Sequence, residues 1–218
     1  MPSTAEENYL KAIFKLSRQN HEPISTNEIA AMMQTTASSV TDMLKKLSDK
    51  ELLEYEKYKG VRLTSEGSKI AKNLVRRHRL WEVFLVDKLN FSWDEVHDIA
   101  EELEHIESDV LIERLEAFLE FPKYDPHGDP IPDAEGNIPL HTQMLLSDLK
   151  KGQKGKVMGV KDTSRDFLQY MDQLNIELGS QIKIISITEY DKSMFIQING
   201  DKEFQISNQV SRNLYVKI

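Results

Sequence analysis

The amino-acid sequence predicts a mainly α-helical N-terminal part, made of a winged helix-turn-helix and a second helical domain, followed by a small all-β SH3-like domain. Two short helical patterns across a polar turn precede a hairpin pattern, and longer amphipathic helical patterns follow. Beyond Gly152 the apolar spacing changes from that of helices to that of strands. We therefore divide the chain into residues 1–64, 65–139 and 140–218.

Signals for three helices and a hairpin follow one another in the first of these domains. Residues 3–18 form an amphipathic helical pattern, and Ser25 and Glu28 are spaced as a capping box that opens a second, short helix. After a polar turn, residues 37–47 form a third helix, and residues 52–64 form a hairpin with a basic tip. This order is typical of a winged helix-turn-helix, with an ordinary helical hairpin as the alternative.

A winged helix-turn-helix binds double-stranded DNA through its last helix and its wing. Small hydroxyl side chains at the start of that helix permit close approach to phosphates and base edges, and wing cations can contact the DNA backbone. We predict DNA contacts from the turn, the recognition helix and the wing, at Thr36, Ser38, Ser39, Asp42, Lys46, Lys57 and Lys59.

Two later helices carry histidines and carboxylates at helical spacing. In a long helix over 64–89, His78 and Glu82 are four residues apart and share a face. A further helix is predicted over 96–105, preceded by a capping box of Ser92 and Glu95.

The helix over 96–105 is predicted to have two chemically different faces. Its apolar side continues towards residue 110 and comprises Val96, Ile99, Leu103, Ile106 and Val110. The opposite side, within about 100° of arc, carries His97, Glu101, Glu104 and His105. Such a stripe can present nitrogen and oxygen donors to a divalent cation, although a solvated acidic face is the alternative.

The rest of the helical domain indicates self-association and then a break in regular structure. Residues 108–121 form an amphipathic helix of the kind that commonly pairs between subunits, so we expect a homodimer. Five of the seven prolines lie within 122–139, which predicts an irregular linker. His127 and His141, in and just after it, are taken as non-ligands.

The last domain is predicted to contain short strands and one helix. Asn199-Gly200 is a strong hairpin signal, and residues 165–174 read as a short helix. The predicted strands are 156–160, 181–189, 194–198, 204–207 and 215–218. Five short strands in a segment of this size suggest a small SH3-like barrel.

Composition limits the classes of protein and of site. The 218-residue chain has a formal net charge of −8, but the segment 91–120 alone has eleven acidic residues against one basic residue, so DNA binding elsewhere is not excluded. Because the chain has no cysteine, a metal must be held by nitrogen and oxygen ligands. No apolar run could span a membrane and no signal peptide is evident, so we expect a cytoplasmic protein.

Taken in order, several motifs resemble those of the diphtheria-toxin-repressor and manganese-transport-regulator family of metal-dependent repressors. The resemblance covers essentially the whole chain and is carried by Glu7-Asn8-Tyr9-Leu10, Ser38-Ser39-Val40-Thr41, Leu63-Thr64-Ser65-Glu66-Gly67, Arg77-His78-Arg79-Leu80-Trp81-Glu82, Glu104-His105 and Pro126-His127-Gly128-Asp129-Pro130-Ile131-Pro132. It implies a winged helix, a helical metal-binding and dimerisation domain, and an SH3-like (FeoA-like) domain.

The resemblance also implies two neighbouring metal sites in each subunit. For one site it implies His78, Glu82 and His97 as ligands. For the other it implies Asn8, Glu101, Glu104 and His105. In the family the C-terminal domain can add ligands to the first site, and Asp162 and Asp166 are only nearby candidates for that role.

Three positions bear on which metal is bound. Iron-type members of the family place a cysteine where this chain has Glu101, and manganese-type members place a glutamate there, which favours Mn²⁺ as a hard ion. Against this, manganese-type members usually have an acidic residue where this chain has Asn8, and often a glutamate where it has Lys11. Mn²⁺ is therefore the favoured effector, with Fe²⁺ as the alternative.

The function implied by the resemblance is a metal-activated transcriptional repressor of metal-uptake genes, and not an enzyme. Its expected partners are operator DNA, divalent metal ions and a second copy of the chain, with no membrane. A dimetal carboxylate enzyme, which also uses glutamate and histidine on facing helices, is the alternative from another class. A winged-helix regulator that responds to a small organic ligand is a third hypothesis.

Overall fold

The computed structural model of the protein describes residues 2–19, 23–56, 59–139 and 144–218. Its backbone forms two compact units. The first comprises Met1–His78, Leu103–Glu107 and Pro132–Asn137, and the second comprises Arg79–Glu102, Ser108–Ile131 and Ile138–Ile218. The predicted domain boundaries at residues 64/65 and 139/140 stay a prediction.

The first unit begins with three helices whose starts follow from local sequence. They are α1 (Thr4–Gln19), α2 (Thr26–Met32) and α3 (Ala37–Asp49). Ser25 caps α2 and forms both hydrogen bonds of the predicted capping box with Glu28. Thr36 caps α3 by accepting a hydrogen bond from the Ser39 amide. The helices enclose a core of fully buried side chains: Leu10, Ile13, Ile29, Val40, Leu44 and Leu47.

A two-stranded antiparallel hairpin follows α3 and confirms the predicted wing. Its strands are β1 (Leu53–Glu56) and β2 (Gly60–Leu63), and Val61 also pairs with Ile24, which ties the hairpin to the segment before α2. Gly67, just beyond it, lies so close to the Leu52 carbonyl that a Cβ there would be 1.9 Å from the oxygen. Only glycine permits this approach, which fixes where the next helix leaves the hairpin.

The long helix α4 (Ser65–Leu89) is confirmed, whereas the next helix is shorter than predicted. α5 comprises Val96–Leu103, so the predicted helix over 96–105 is wrong at its end, and Glu104 and His105 lie in the turn that follows. Its buried positions are Val96 and Ala100, and Glu104 beyond it is also buried.

Two further expectations for this region are wrong in part or in full. Only half of the predicted capping box forms: the Ser92 amide donates to Glu95 Oε2, but the Ser92 hydroxyl donates to the carboxylates of Asp94 and Glu95 and is not the acceptor for the Glu95 amide. The predicted apolar face does not continue beyond α5, since Ile106 and Val110 are 37% and 60% exposed. The chain leaves the helix after Leu103, so the helical spacing no longer applies.

The helix α6 (Asp109–Phe118) lies in the second unit and is capped by Ser108. Ile112 and Leu115 are buried, whereas Val110 and Phe118 are each 60% exposed. The predicted helix over 108–121 is therefore correct in kind but ends three residues early. Among the described residues of 122–139 there is no helix and no named strand, in agreement with the predicted irregular segment.

The segment after α6 is irregular but closely packed. Asp125 Oδ1 accepts hydrogen bonds from the amides of His127 and Asp129, at 2.8 and 2.9 Å. A Cβ on Gly128 would lie 2.0 Å from the carbonyl oxygen of Met158. The Val160 amide donates to the His127 carbonyl at 2.9 Å, so this loop lies directly against the sheet of the same unit.

The C-terminal part of the chain is the predicted SH3-like β domain. Its strands are β3 (Met144–Leu145), β4 (Lys154–Val160), β5 (Gln181–Ile187), β6 (Met194–Ile198), β7 (Lys202–Ile206) and β8 (Leu214–Lys217). They form one antiparallel sheet in the order β3-β8-β4-β5-β6-β7. The two-residue strand β3 was not predicted from the sequence.

The remaining elements of this domain agree with their local signals. The helix α7 (Arg165–Leu174) has the predicted bounds, and a short helix α8 (Asn208–Ser211) precedes β8. Asn199 and Gly200 both have positive φ, as the predicted turn between β6 and β7 requires. None of the helices in the described part of the chain is both long enough and apolar enough to cross a bilayer.

Candidate metal centre and recognition helix

One group of predicted ligands is gathered in the first unit, around the turn that follows α5. The His105 ring lies between two carboxylates, with Nδ1 2.7 Å from Glu7 Oε2 and Nε2 3.8 Å from Glu104 Oε1. When Nδ1–H donates to Glu7, the lone pair of the ring is on Nε2, towards Glu104. A carboxylate that fixes the ring and its tautomer in this way is the usual outer partner of a metal-binding histidine.

Three buried side-chain oxygens of the same unit have no hydrogen-bond partner among the described residues, and one of them, Glu6 Oε1, lies beside the ammonium groups of Lys46 and Lys50. The other two are Oδ1 of Asn8 and Oε1 of Glu104. Buried acceptors are almost always satisfied, so such atoms need an explanation. Glu104 Oε1 and His105 Nε2 lie 3.8 Å apart and offer an oxygen and a nitrogen donor that suit a hard divalent cation, and the amide oxygen of Asn8 is a donor of the same hard type. The residues present therefore fit a metal ion.

The other oxygen of Glu104 is engaged by a lysine and a histidine. Glu104 Oε2 lies 2.5 Å from Lys11 Nζ and 2.6 Å from His78 Nδ1, and Lys11 Nζ is 3.3 Å from the same nitrogen. All three side chains are nearly completely buried. The negative charge of Glu104 is thus balanced by a cation that belongs to the chain.

A second group of predicted ligands lies in the second unit. His97 Nδ1 is 3.6 Å from Glu82 Oε1, and His97 Nε2 is 3.7 Å from Glu101 Oε1. Glu82 is buried, whereas the side chains of His97 and Glu101 are 50% and 35% exposed. This histidine therefore lies between two carboxylates, as His105 does, but is open to water.

The loop after α6 adds residues that were not predicted. Asp125 and His127 lie with Glu82 in a buried group whose donor atoms are all within 4.8 Å of one another. His127 Nδ1 is 3.7 Å from Glu82 Oε1, and its Nε2–H donates to the Trp93 carbonyl at 2.8 Å. His127 was predicted to be a non-ligand, but it lies beside Glu82, a predicted ligand.

The charges of this loop shift the pKa values of two groups in the same direction. Burial, together with the negative charges of Glu82 and Asp129, raises the pKa of Asp125 to about 7. Burial alone would lower the pKa of His127, but Glu82 and Asp125 outweigh it and raise that pKa to about 9. Arg79 lies 3.4 Å from Asp125 and 2.9 Å from Asp129, so its positive charge lies beside both carboxylates.

The first turn of α1 also contacts the recognition helix α3. Glu6 Oε1 lies 3.1 Å from Lys46 Nζ and 2.8 Å from Lys50 Nζ. Burial by itself would raise the pKa of Glu6, but hydrogen bonds from Lys50, Ser3 and Lys46 lower it to about 2. Since Glu7 contacts His105, two adjacent residues of α1 join the ligand group and the recognition helix.

The predicted DNA contacts divide into exposed hydroxyl groups and paired charges. Thr36, Ser38 and Ser39 are exposed at the start of α3, and Asp42 is exposed but lies 3.6 Å from Lys45. Lys59 lies 2.6 Å from Glu56, whose hydrogen bond raises the pKa of Lys59. Lys46 is engaged by Glu6, and Lys57 lies outside the described residues.

The predicted ligands stay a prediction, and several residues that contact them were not indicated by the sequence. A carboxylate directly before Asn8 was visible as Glu7, but nothing local indicated its pairing with His105, which is 98 positions away. For Asp162, proposed only as a nearby candidate, Oδ1 accepts a hydrogen bond from the Ser164 amide at 2.9 Å, and Asp166 is exposed.

Comparison with known protein families covers three stretches of the chain. The N-terminal DNA-binding domain of iron-dependent repressors matches residues 1–61, and their metal-binding and dimerisation domain matches residues 64–133. The FeoA domain matches residues 144–218. The diphtheria toxin repressor of Corynebacterium jeikeium is 31% identical over 195 residues, which cover 84% of this chain and 73% of that protein. The chain belongs to the iron-dependent repressor family.

Other relatives of this repressor include manganese regulators. The HTH-type transcriptional regulator MntR of Oceanobacillus iheyensis is 36% identical over 126 residues, which cover 57% of this chain and 84% of that protein. A solved structure described as a manganese-dependent transcriptional repressor in complex with manganese has a TM-score of 0.88 and 34% identity, and the match covers 97% of this chain and 98% of that one.

Membership of the iron-dependent repressor family decides between the broad functional classes. The chain is a metal-dependent, DNA-binding repressor, and the family binds operator DNA and metal ions and dimerises. Members of the family are transcriptional repressors, not enzymes, so the hypothesis of a dimetal carboxylate enzyme is not supported. Relatives named for iron and for manganese both occur, so the metal is not decided by membership alone.

Proposed function

We propose that this repressor responds to manganese and controls genes for metal-ion uptake, with an iron-responsive repressor of the same family as the alternative. The observation that carries the proposal is the donor set of the first unit, in which Asn8 Oδ1, Glu104 Oε1 and His105 Nε2 are available. The proposed ligands are those implied by the resemblance: Asn8, His78, Glu82, His97, Glu101, Glu104 and His105.

The chemistry of the donors supports manganese. The chain has no cysteine, so softer thiolate ligation is impossible, and Glu101 supplies a carboxylate in its place. Imidazole nitrogen with carboxylate and amide oxygen suits Mn²⁺ better than the softer metals. The similarity to a manganese-dependent repressor in complex with manganese is consistent with this choice.

The proposed coupling to DNA runs through α1. A bound divalent cation would attract several of these donor atoms at once. Glu7 holds the His105 ring, and Glu6 in the same turn of α1 holds Lys46 of α3 and Lys50, the residue that follows α3. A change in the position of α1 would therefore reach the recognition helix through ion pairs between the buried carboxylate of Glu6 and these two partly exposed lysines. Coupling energies of this kind are typically about 1–3 kcal/mol.

Operator DNA and a second copy of the chain are the proposed partners, in the cytoplasm. Exposed apolar side chains of the second unit, among them Val110 and Phe118, support self-association. A two-fold dimer would present two recognition helices to half-sites about one helical turn apart, or a multiple of it. The DNA contacts proposed are those predicted from the sequence, from Thr36 to Lys59.

The test is whether DNA binding depends on the metal, and on which metal. Duplexes selected from a random library in the presence of Mn²⁺ would be titrated with chelator-treated protein, with and without Mn²⁺ or, under anaerobic conditions, Fe²⁺. We expect Mn²⁺ to tighten binding at least tenfold, which corresponds to about 1.4 kcal/mol, and to raise the melting temperature. Equal affinity of the metal-free and Mn²⁺-loaded protein would contradict the proposal, and a response to Fe²⁺ alone would select the alternative.

A further inference from the structure

Lys11 is a lysine in an unusual position for its residue type. It is only 4% exposed, although lysines are almost never fully buried unless they are paired. Its partners include the carboxylate of Glu104 and the ring of His78, at 2.5 and 3.3 Å. A cation between a carboxylate oxygen and an imidazole nitrogen occupies the kind of position that a metal ion takes.

We propose that the Lys11 ammonium is a built-in competitor of the divalent cation for Glu104, and that it thereby sets the metal concentration at which the repressor is activated. The inference rests on the proposed function, because it assumes that Glu104 is a ligand. Glu104 has one oxygen engaged by Lys11 and His78, and one without a hydrogen bond among the described residues.

The charge of Lys11 weakens metal binding in two ways. The positive charge of Lys11 already neutralises Glu104, so a metal ion gains less attraction from that carboxylate. The same charge repels an incoming divalent cation at short range in a site of low dielectric constant. Both effects weaken metal binding, and both disappear if the side chain keeps its volume but loses its charge.

Lys11 also stabilises the metal-free protein. Without it, Glu104 would be a buried carboxylate with no lysine to balance its charge, which is strongly unfavourable. The contact ties α1 to the turn after α5 before any metal is bound. Because metal affinity reflects the difference in free energy between the loaded and metal-free states, stabilising only the metal-free state lowers that affinity.

If Lys11 competes with the metal, removing it changes the metal affinity in the opposite direction from removing a purely structural ion pair. A structural pair stabilises metal-free and loaded protein alike, so its removal leaves the affinity for metal unchanged or weakens it. If Lys11 competes with the metal, its removal destabilises the metal-free protein and tightens metal binding. Two measurements on the same variant therefore separate the two roles.

The experiment compares Lys11→Met with the wild type by calorimetric titration with Mn²⁺ and by thermal melts in chelator and in excess Mn²⁺. We expect Mn²⁺ to bind Lys11→Met at least tenfold more tightly. We also expect a lower melting temperature in chelator and a larger rise on adding Mn²⁺. Should Lys11→Met fail to fold without metal, the variant would be folded with Mn²⁺ and its affinity measured by competition with a chelator of known strength.

Two controls accompany this variant. Lys11→Arg keeps the charge, and its affinity for Mn²⁺ should stay close to that of the wild type. Lys50→Met removes another lysine that pairs with a glutamate of α1, and it should lower the melting temperature equally with and without Mn²⁺. Unchanged or weaker Mn²⁺ binding by Lys11→Met overturns the inference, whereas no Mn²⁺ binding by the wild type would instead contradict the proposed function.

Discussion

The two groups of histidine and carboxylate side chains contain the same residue types but balance their charges differently. In the first unit, Glu104 is paired with Lys11, and His105 is fixed by Glu7 in a largely buried setting. In the second unit, Glu82 has His127 beside it, and His97 is half exposed. The cation beside Glu104 is thus an ammonium group, whereas the one beside Glu82 is an imidazole whose pKa is raised to about 9.

Similar donor sets need not respond to metal in the same way. In the first unit a metal must compete with a permanent cation, but it gains a pre-oriented imidazole and oxygens that lack hydrogen bonds. In the second unit His97 is half exposed, so water can replace the metal at its ring nitrogens more easily. We expect the first group to control the DNA response and the second to tune it.

The largest expected difference is between two histidine variants. His105→Ala removes a ligand that is linked through Glu7 to α1, so it should abolish Mn²⁺-stimulated DNA binding and weaken Mn²⁺ affinity by more than about 100-fold, the upper range for outer-shell partners. His97→Ala, at the exposed group, should weaken affinity by about tenfold or less. Calorimetric titration and DNA-binding assays on both variants test this, and equal losses would remove the distinction between the groups.

A smaller effect is expected when the partner of the ligand is changed instead of the ligand. Glu7→Gln removes the charge that orients His105, and should weaken Mn²⁺ affinity by about 10–100-fold. The matched variant is Glu6→Gln on the neighbouring residue, which contacts α3 and not the ligand group. Glu6→Gln should leave the Mn²⁺ affinity intact but reduce the gain in DNA affinity. A loss of Mn²⁺ affinity in both variants would indicate general damage to α1.

The smallest expected effect is an opposite response of the two units to pH. The pKa of Glu6 is lowered to about 2, so its stabilising contribution is complete above about pH 4.5 and is lost as the pH falls towards 2. The pKa of His127 is raised to about 9, so its contribution is complete below about pH 6.5 and is lost as the pH rises through 9. The raised pKa of Asp125 acts in the same direction as His127, between about pH 4 and 7.

Hydrogen exchange of metal-free protein measures these local stabilities. Amides of α1 and α3 should lose protection in acid, and amides around 124–131 should lose protection in alkali, by about 1.5–3 kcal/mol each, as for a hydrogen bond to a charged group. Glu6→Gln should flatten the first profile and His127→Phe the second. Parallel loss of protection in both units at both pH extremes would show that the opposing pKa shifts do not govern local stability.

The sequence predicted those features that depend on neighbours along the chain. Ser25 and Glu28 form the expected capping box because each hydrogen-bond partner is three residues from the other. The residue types of the predicted ligands were also visible, since His78, Glu82, His97 and Glu101 lie at helical spacing. Capping and spacing are local properties, and they are largely independent of how the chain packs.

Features that depend on tertiary packing were predicted less well. We predicted that Glu104 and His105 continue α5 and share its polar face. The helix instead ends at Leu103, and the turn directs Glu104 into the interior. The contact between Lys11 and Glu104 joins residues 93 positions apart, and no periodicity along the chain encodes it. His127 was dismissed because it lies among prolines, although such a segment can be closely packed without regular structure.

The contact at Gly128 has a consequence for the cooperativity of unfolding. With no room for a Cβ between this residue and the Met158 carbonyl, the loop that carries Asp125 and His127 has no side chain between its backbone and β4. The amide of Val160 holds the same loop through the His127 carbonyl. Loop and sheet should therefore melt in a single calorimetric transition, and loosening β4 would admit water to Glu82 before any helix of the unit unravels.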